Sequence, residues 1–302
     1  MRKFVILAGG LGNQLFQIAG ALSTTDEVIH AITCIGTPKE HAGKLEIASL
    51  DFHGRVQFMK CNKKHFLSSL AFRSMLSLAI TRRHLLHKSL SRKVILLLAA
   101  MIFSLHLRTL VYPRISRGVG FDSKFREIKG NLFIGYFQSH LIADSVKELM
   151  INALDRVESK EFASKAKSSN TLIHIRLGDY KSEPTIGVLN LQYFSTALKF
   201  LESQESINQI AIFSDEPEVA LKQIPSSYFD RVIFEELADE SPLMTLCRMR
   251  GYKNYVLANS TFGWWAAYTS TPQRVFVPDP WFVSGDSPIE LVPETWIQIN
   301  RD

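Results

Sequence analysis

Short apolar runs alternate with amphipathic segments throughout the second half of the chain. The runs TLIHIRLG, QIAIFSD, RVIFEE, YVLAN and RVFVP are separated by segments in which apolar residues recur at helical spacing. Strands that alternate with helices at this spacing predict parallel β-α-β units. We therefore expect residues 168–302 to form a Rossmann-like domain.

The first half of the chain shows this pattern clearly only once. Residues 3–8 predict a strand, GGLGNQ predicts a glycine-rich turn, and LFQIAGALS predicts a helix. NLFIGYFQ, at 131–138, predicts a further strand, and the stretch that follows has a long amphipathic pattern. We expect residues 1–142 to form a less regular α/β domain, and residues 143–167 to form a connecting helix.

Charge is distributed unevenly along the chain, whose formal net charge is +6. Residues 52–121 contain no Asp or Glu but hold thirteen of the 35 Lys and Arg residues, which leaves 22 basic against 29 acidic residues elsewhere. Apolar residues at helical spacing, among them the run VILLLAAMIFSL, predict a basic helical insertion here. Two interpretations stay open: the insertion docks on an anionic membrane surface, or it is a solvated helical hairpin that only packs on its domain.

Composition excludes several other classes. The three cysteines form no CxxC pair, so neither a disulfide framework nor a zinc site is indicated. The longest apolar run is about half of the roughly 20 residues that a membrane-spanning helix needs. The basic segment has few aromatics and no recognised nucleic-acid-binding module, so no nucleic-acid partner is expected. We expect a cytoplasmic protein, peripheral on the inner membrane face if the basic segment docks there.

The first candidate site residues follow the strand TLIHIRLG. Ligands of open parallel sheets bind at the carboxyl ends of the strands. His174 and Arg176 are two residues apart, so both side chains leave the same face of the strand. The planar guanidinium fork suits a diphosphate, although Arg176 could equally pair with a surface carboxylate.

Two further strand ends carry polar residues. After QIAIFSD, Asp215 and Glu216 could accept hydrogen bonds from ribose hydroxyls or a base, while Ser214 or Asp215 could simply cap the next helix. After YVLAN, Ser260 and Thr261 begin a helix at once. Backbone N–H groups and hydroxyls at a helix N-terminus form an anion site.

The GGLGNQ loop lacks the spacing of a dinucleotide site. Its glycines are at positions 9, 10 and 12, not in a GxGxxG pattern, so NAD binding is not expected. Asn13 and Gln14 offer neutral donors that could reach across a cleft between domains.

GGLGNQLFQ, HIRLGDY, FSDEP and LANSTFGWWAAY, in this order, closely resemble glycosyltransferase family 11, the α-1,2-fucosyltransferases. The segments GYFQS, LMTLC and PETWIQI are weaker matches to motifs of the same family. The resemblance implies an α/β, GT-B-like fold, in which two Rossmann-like domains face each other across a cleft. It also implies inverting, metal-independent transfer of L-fucose from GDP-fucose to a hydroxyl, usually the 2-hydroxyl of a galactoside, with no cofactor.

The resemblance and the strand-end positions together define the expected site. Arg176 would neutralise the leaving diphosphate, and the second arginine of the family's motif is replaced here by Leu177. Asp179 is the first candidate for the catalytic base and Glu183 the second, although Asp179 could equally orient Arg176. The expected donor-binding residues are Gly12, Asn13, Gln14, His174, Arg176, Gly178, Asp215, Glu216, Asn259, Ser260, Thr261 and Phe262.

Two alternatives to fucosyl transfer remain at this point. The same scaffold could use another nucleotide sugar, or it could be a non-catalytic, membrane-associated protein that binds nucleotide sugars. The expected partners are GDP-fucose and a glycan or lipid-linked oligosaccharide acceptor.

Overall fold

The chain forms two compact α/β units in the computed structural model. The first comprises Met1–Ala153 with Pro288–Leu291, and the second comprises Leu154–Ser287 with Val292–Asp302. Each unit is built on one sheet whose paired strands are parallel, which confirms the predicted α/β class with two Rossmann-like domains. The structure describes residues 1–36, 46–59, 66–80, 89–116, 118–121, 123–161, 171–235, 240–284, 287–288 and 290–301.

The sheet of the first unit has five strands in the order β3-β2-β1-β5-β4. Every neighbouring pair is parallel. Helix α1 (Leu11–Leu22) follows the first strand, as predicted, but it begins four residues before the predicted start at Leu15. Its residues from Leu15 to Leu22 are buried. The strands are β1 (Lys3–Ala8), β2 (Ile29–Gly36), β3 (Val56–Met59), β4 (Pro113–Ile115) and β5 (Leu132–Ile134).

The basic stretch 52–121 contains two helices, as predicted, but it is not a purely helical insertion, because it also supplies strands of this sheet. It supplies both edge strands, β3 and β4, as well as helices α2 (Phe66–Ile80) and α3 (Ser89–Leu107). The two helices pack against each other, and Phe72 and Phe103 are buried in the core that covers one face of the sheet. The pattern along the chain does not predict β4, because its three residues carry too little periodicity.

No helix among the described residues combines the length and apolar character needed to cross a membrane.

The predicted connecting helix over 143–167 is two helices. Helix α4 (His140–Asp144) ends at Ser145, and α5 (Lys147–Glu161) begins two residues later. The remainder of the prediction, residues 162–170, lies outside the described residues. The division between the two units falls within α5.

The second unit contains each strand and helix that the alternating pattern predicts, together with an additional last strand. Its sheet has the order β11-β10-β9-β6-β7-β8, so the direction of chain progression reverses between β6 and β9. The strands are β6 (Thr171–Ile175), β7 (Ile210–Ser214), β8 (Val232–Phe234), β9 (Asn254–Leu257), β10 (Arg274–Asp279) and β11 (Ile297–Asn300). The helices are α6 (Leu191–Gln204), α7 (Pro217–Leu221), α8 (Pro242–Met249) and α9 (Thr261–Tyr268).

Helix α9 is buried almost completely. Trp264 and Trp265 are both fully buried, and Trp264 stacks on Tyr268 with ring centroids 4.4 Å apart. Aromatic side chains of this size bury much apolar area, so they hold the short helix firmly against the sheet. Their burial fixes the position of the helix N-terminus at the edge of the unit where β9 ends.

Close packing at Gly20 yields a stability prediction for the first unit. A Cβ atom on Gly20 would lie 2.4 Å from the ring of the buried Phe137. We expect Gly20→Ala to lower the free energy of unfolding by about 1–3 kcal/mol through overpacking, even though alanine favours the helix. Urea denaturation measures this.

The matched control is Gly10→Ala, because a Cβ on Gly10 meets nothing within 4 Å and its φ of −72° suits any residue. Equal unfolding free energies for the two variants would contradict the packing explanation.

Candidate active site

The second unit places polar residues where β6, β7 and β9 end. β6 and β9 are neighbours at the point where the strand order reverses, and open parallel sheets bind ligands in the crevice at such a point. The segments that follow these strands hold all of the predicted site residues between His174 and Phe262. Gly12, Asn13 and Gln14 belong to the first unit.

Arg176 lies between two carboxylates. Its Nε donates to Oδ1 of Asp179 at 3.0 Å, its Nη2 lies 2.8 Å from the same oxygen, and its Nη1 lies 3.1 Å from Oδ2 of Asp215. The guanidinium is therefore held by one hydrogen bond and two ion pairs. A planar guanidinium fixed in this way suits the oxygens of a phosphate.

Asp215 positions both the guanidinium and the backbone beside it. Its Oδ1 accepts a hydrogen bond from the Leu177 N–H at 3.0 Å, while its Oδ2 faces Arg176. A Cβ on Gly178 would lie 2.6 Å from that Oδ2, so glycine allows the close approach. Both oxygens of Asp215 are thus engaged within the protein. The buried Leu177 side chain occupies the core.

Glu216 and Ser214 form the start of α7. The Ser214 hydroxyl accepts from the Glu216 N–H at 3.1 Å, but Glu216 is the N-cap residue of α7 and no side chain caps this helix, so the capping interpretation of Ser214 or Asp215 is wrong. The Glu216 carboxylate pairs with Lys181, which links the segment after β7 to the segment after β6.

His174 is a buried, neutral imidazole. It is 6% exposed, and its Nδ1 has no hydrogen-bond partner in the described part of the chain. Burial, and secondarily the positive charge of Arg176, lowers the pKa of His174 to about 4. A Cβ on Gly263 would lie 2.6 Å from Nδ1, so glycine in the first turn of α9 makes room for the ring. The neutral imidazole therefore adds no positive charge beside Arg176.

The turn between β9 and α9 is capped by its own side chains. The Ser260 hydroxyl accepts from the Phe262 N–H at 3.3 Å, and Thr261 is the first residue of the helix. The Phe262 ring lies 6.1 Å from the His174 ring, which brings the start of α9 next to the end of β6. The helix dipole thus directs its positive end towards the same region as Arg176.

Asn259 holds neighbouring loops in place. Its Nδ2 donates to the carbonyl oxygens of Ile186 at 2.9 Å and Trp281 at 3.1 Å. Arg301 donates to the same two carbonyls, at 3.1 Å each. The amide donors of Asn259 therefore serve the fold. Arg301 was missed by sequence reasoning, because nothing near the end of the chain marks it as a partner of these loops.

Tyr180 is a second residue that sequence analysis did not assign to the site, although it lies within the HIRLGDY motif. Its hydroxyl lies 3.4 Å from the Asn259 carbonyl oxygen and hydrogen-bonds to the Ser260 side chain. Burial raises the pKa of Tyr180, while the Ser260 hydrogen bond and Arg176 oppose the rise. The protonated hydroxyl joins the segment after β6 to the start of α9.

Glu183 lies at the end of the short helical turn Asp179–Ser182. Its side chain is exposed, and its carbonyl oxygen accepts from the N–H groups of Ile186 and Gly187. Asp179 is also exposed, but its carboxylate is held by Arg176. Both candidate bases thus lie on one segment. Of the two, Asp179 contacts the Arg176 guanidinium.

The glycine-rich segment of the first unit makes its own contacts. Gln14 Nε2 donates to the Gly9 carbonyl at 2.8 Å, and Asn13 Oδ1 accepts from Gln138 Nε2 at 3.1 Å. The helix begins at Leu11, so Gly12, Asn13 and Gln14 lie in its first turn. Gln138 lies in the GYFQS segment, and sequence analysis did not predict its contact with Asn13.

Among the described residues, no group of three or more His, Cys, Asp or Glu side chains could hold a metal ion.

The burial of His174 predicts a pH dependence of stability. Its folded-state pKa of about 4 lies below the ordinary 6.5, so between these values the unfolded chain binds the proton more tightly. Stability is full above pH 6.5 and falls as the pH drops towards 4, by up to about 3 kcal/mol from this group. We expect His174→Gln to flatten the curve of unfolding free energy against pH in this window.

The control is His53→Asn, which removes an exposed histidine and keeps a residue suited to the positive φ of 53°. Parallel curves for the wild type and His174→Gln would contradict the prediction.

Comparisons with known proteins agree with the motifs. The model of the family named Glycosyl transferase family 11 matches residues 4–284. The O-antigen biosynthesis glycosyltransferase WbnK of Escherichia coli is 25% identical over 97% of this chain and 99% of its own length. An alpha-1,2-colitosyltransferase of Escherichia coli is 26% identical over 58% of this chain and 64% of its own length. Galactoside 2-alpha-L-fucosyltransferase SEC1 of Bos taurus is 27% identical over 52% of this chain and 47% of its own length.

The family match spans nearly the whole chain and includes the segments that end β1, β6, β7 and β9. These are the segments on which the resemblance was recognised, and they hold the arginine, the buried imidazole and the helix N-terminus described above. The chain belongs to glycosyltransferase family 11.

Proposed function

We propose that the protein transfers L-fucose from GDP-fucose, with inversion, to a hydroxyl group of a glycan, most directly the 2-hydroxyl of a galactoside. The observation that carries the proposal is Arg176, whose guanidinium Asp179 and Asp215 hold at the switch point beside the start of α9. The fucosyltransferase and O-antigen relatives support the choice of sugar and a glycan acceptor.

The leaving diphosphate is stabilised without a metal in this proposal. As the glycosidic bond breaks, negative charge develops on the diphosphate oxygen. The Arg176 guanidinium and the positive end of the α9 dipole are both held in place in advance, so they stabilise that charge without reorganising. His174 contributes no charge, because its pKa of about 4 keeps the ring neutral near pH 7.

The acceptor hydroxyl must lose a proton during an inverting transfer. Asp179 and Glu183 are the two carboxylates on the segment after β6. Asp179 accepts a hydrogen bond from Arg176 Nε and forms an ion pair with Nη2, which suits an orienting role, whereas Glu183 is exposed at the end of the turn. We therefore propose that Glu183 takes the proton and that Asp179 and Asp215 together fix the guanidinium.

A second candidate donor is suggested by the colitosyltransferase relative. The phosphate contacts would be the same for both sugars, so the choice depends on contacts with the sugar ring. A purely binding role is the remaining alternative.

A donor and acceptor screen tests the activity. We expect turnover with GDP-fucose and β-galactosyl acceptors in the presence of EDTA, with an α-1,2 linkage by NMR of the product. Turnover of GDP-colitose, GDP-mannose or a UDP-sugar without GDP-fucose would overturn the proposed donor. Loss of activity in EDTA that Mg²⁺ restores would overturn metal independence.

Substitution of the arginine tests the phosphate assignment. We expect Arg176→Ala to lower kcat/KM roughly 30- to 1000-fold, which corresponds to a loss of about 2–4 kcal/mol of transition-state stabilisation. Lys199→Ala is the control, since it removes an exposed cation from α6 and should change kcat/KM less than about twofold. A loss within twofold for Arg176→Ala would show that another group binds the diphosphate.

The two carboxylates are distinguished by their pH profiles. Glu183→Gln should lower kcat strongly and remove the acidic limb of the kcat profile, because the base is lost. Asp179→Asn should raise KM for the donor and keep that limb, because Arg176 is then less well oriented. The opposite pattern would make Asp179 the base.

A further inference from the structure

One side of helix α3 exposes large apolar side chains over three turns. Their exposed fractions are 46% for Val94, 70% for Leu97, 51% for Leu98, 54% for Met101 and 73% for Leu105. Residues three and four apart share one face of a helix, so these five form a continuous stripe. No charged residue occurs between positions 94 and 105.

The opposite side of the same helix is core. Ala99 and Phe103 are buried together with Phe72 and Met75 of α2 in the cluster that covers the sheet of the first unit. A helix that is apolar all round is normally buried all round. Helix α3 is covered on one side only, so its outer stripe is unexplained by the fold of this unit.

Helix α2 extends this exposed region. It packs against α3, and Ser68 hydrogen-bonds to His106 at 3.1 Å. Its Leu67 and Leu70 are 62% and 54% exposed, and Arg73, one turn further on the same face, is exposed as well. Because the inner sides of both helices cover the same face of the sheet, both outer sides point away from it.

We propose that the outer face of α2 and α3 docks on an anionic lipid surface. We call it the α2–α3 face and define it by Leu67, Leu70, Arg73, Val94, Leu97, Leu98, Met101, Leu105 and Arg108. Amphipathic helices lie in the membrane interface with the apolar side inserted and basic residues among the headgroups. Contiguous exposed apolar patches of this kind mark interaction sites.

Charge decides between a lipid surface and a second copy of the chain. The face lies within the stretch 52–121, which has thirteen basic and no acidic residues. A two-fold symmetric dimer would place this stretch against itself, where like charges repel. An anionic bilayer attracts it, and the acidic excess of the rest of the chain would keep other faces away from the membrane.

The side chains that the structure describes show which charges are available. Arg73 and Arg108 are exposed, whereas Arg55 pairs with Asp26 and Arg114 is buried against Phe125. The first two are therefore the cations of choice for substitution.

Vesicle flotation of the full-length protein tests the proposal. The vesicles are made of phosphatidylcholine alone or of phosphatidylcholine with phosphatidylglycerol. We expect binding to the anionic vesicles at low salt, little binding to the neutral ones, and release at high salt. Absence of binding to anionic vesicles at low salt would overturn the proposal.

Paired variants test the residues. Leu97→Gln with Leu105→Gln should lower the partition coefficient on the order of a hundredfold, since burial of each leucine contributes about tenfold or more. Arg73→Gln with Arg108→Gln should lower it by about 25-fold, or about fivefold for each charge.

Leu141→Gln with Leu191→Gln is the matched control, because these leucines are 51% and 45% exposed on other helices. It should bind within about twofold of the wild type, and thermal unfolding checks that every variant is folded. Equal binding by Leu97→Gln with Leu105→Gln and by the wild type would overturn the assignment to this face.

Analytical ultracentrifugation addresses a second copy directly. A wild-type dimer that Leu97→Gln with Leu105→Gln converts to a monomer would show that the face is an interface between copies, which would also overturn the proposal. These experiments measure binding to vesicles and the mass of the protein in solution. Their results therefore do not depend on which sugar donor the enzyme uses.

Discussion

The arrangement of the site depends on the position of one guanidinium between two carboxylates. Asp179 and Asp215 come from the ends of different strands, and each fixes one side of Arg176. The three groups together carry one excess negative charge. Attraction of a diphosphate therefore cannot come from their net charge. It must come from directed N–H donors and from the positive end of α9, which act at short range in a fixed geometry.

The short helix α9 is held in place from two sides. Trp264 and Trp265 bury its body, and the Asn259 amide ties the preceding turn to Ile186 and Trp281. Arg301 holds the same two carbonyls. A site that relies on aligned backbone donors needs this rigidity, because donors that must reorganise lose much of their electrostatic advantage. The cost is that several polar side chains at the site serve the fold rather than a ligand.

The basic stretch of the first unit combines two roles that usually occur in separate elements. It completes the sheet with β3 and β4, and one side of α3 fills the core. The other side of α3 is equally apolar but exposed. The basic residues of the stretch 52–121 are also not equivalent, since Arg114 donates to the Phe125 carbonyl and lies over two aromatic rings in the interior. A count of charges along the sequence cannot separate these environments.

The sequence by itself determined the features that depend on local periodicity and on residue type at strand ends. The alternation beyond residue 171 and the start of α9 were both predictable, because each involves neighbours along the chain. The tertiary structure alone decided which groups meet. Asp215 reaches the Leu177 N–H from 38 residues away, and Asn259 reaches the Ile186 carbonyl from 73 residues away. Such contacts are set by the order and register of the strands, about which a single sequence carries no direct signal.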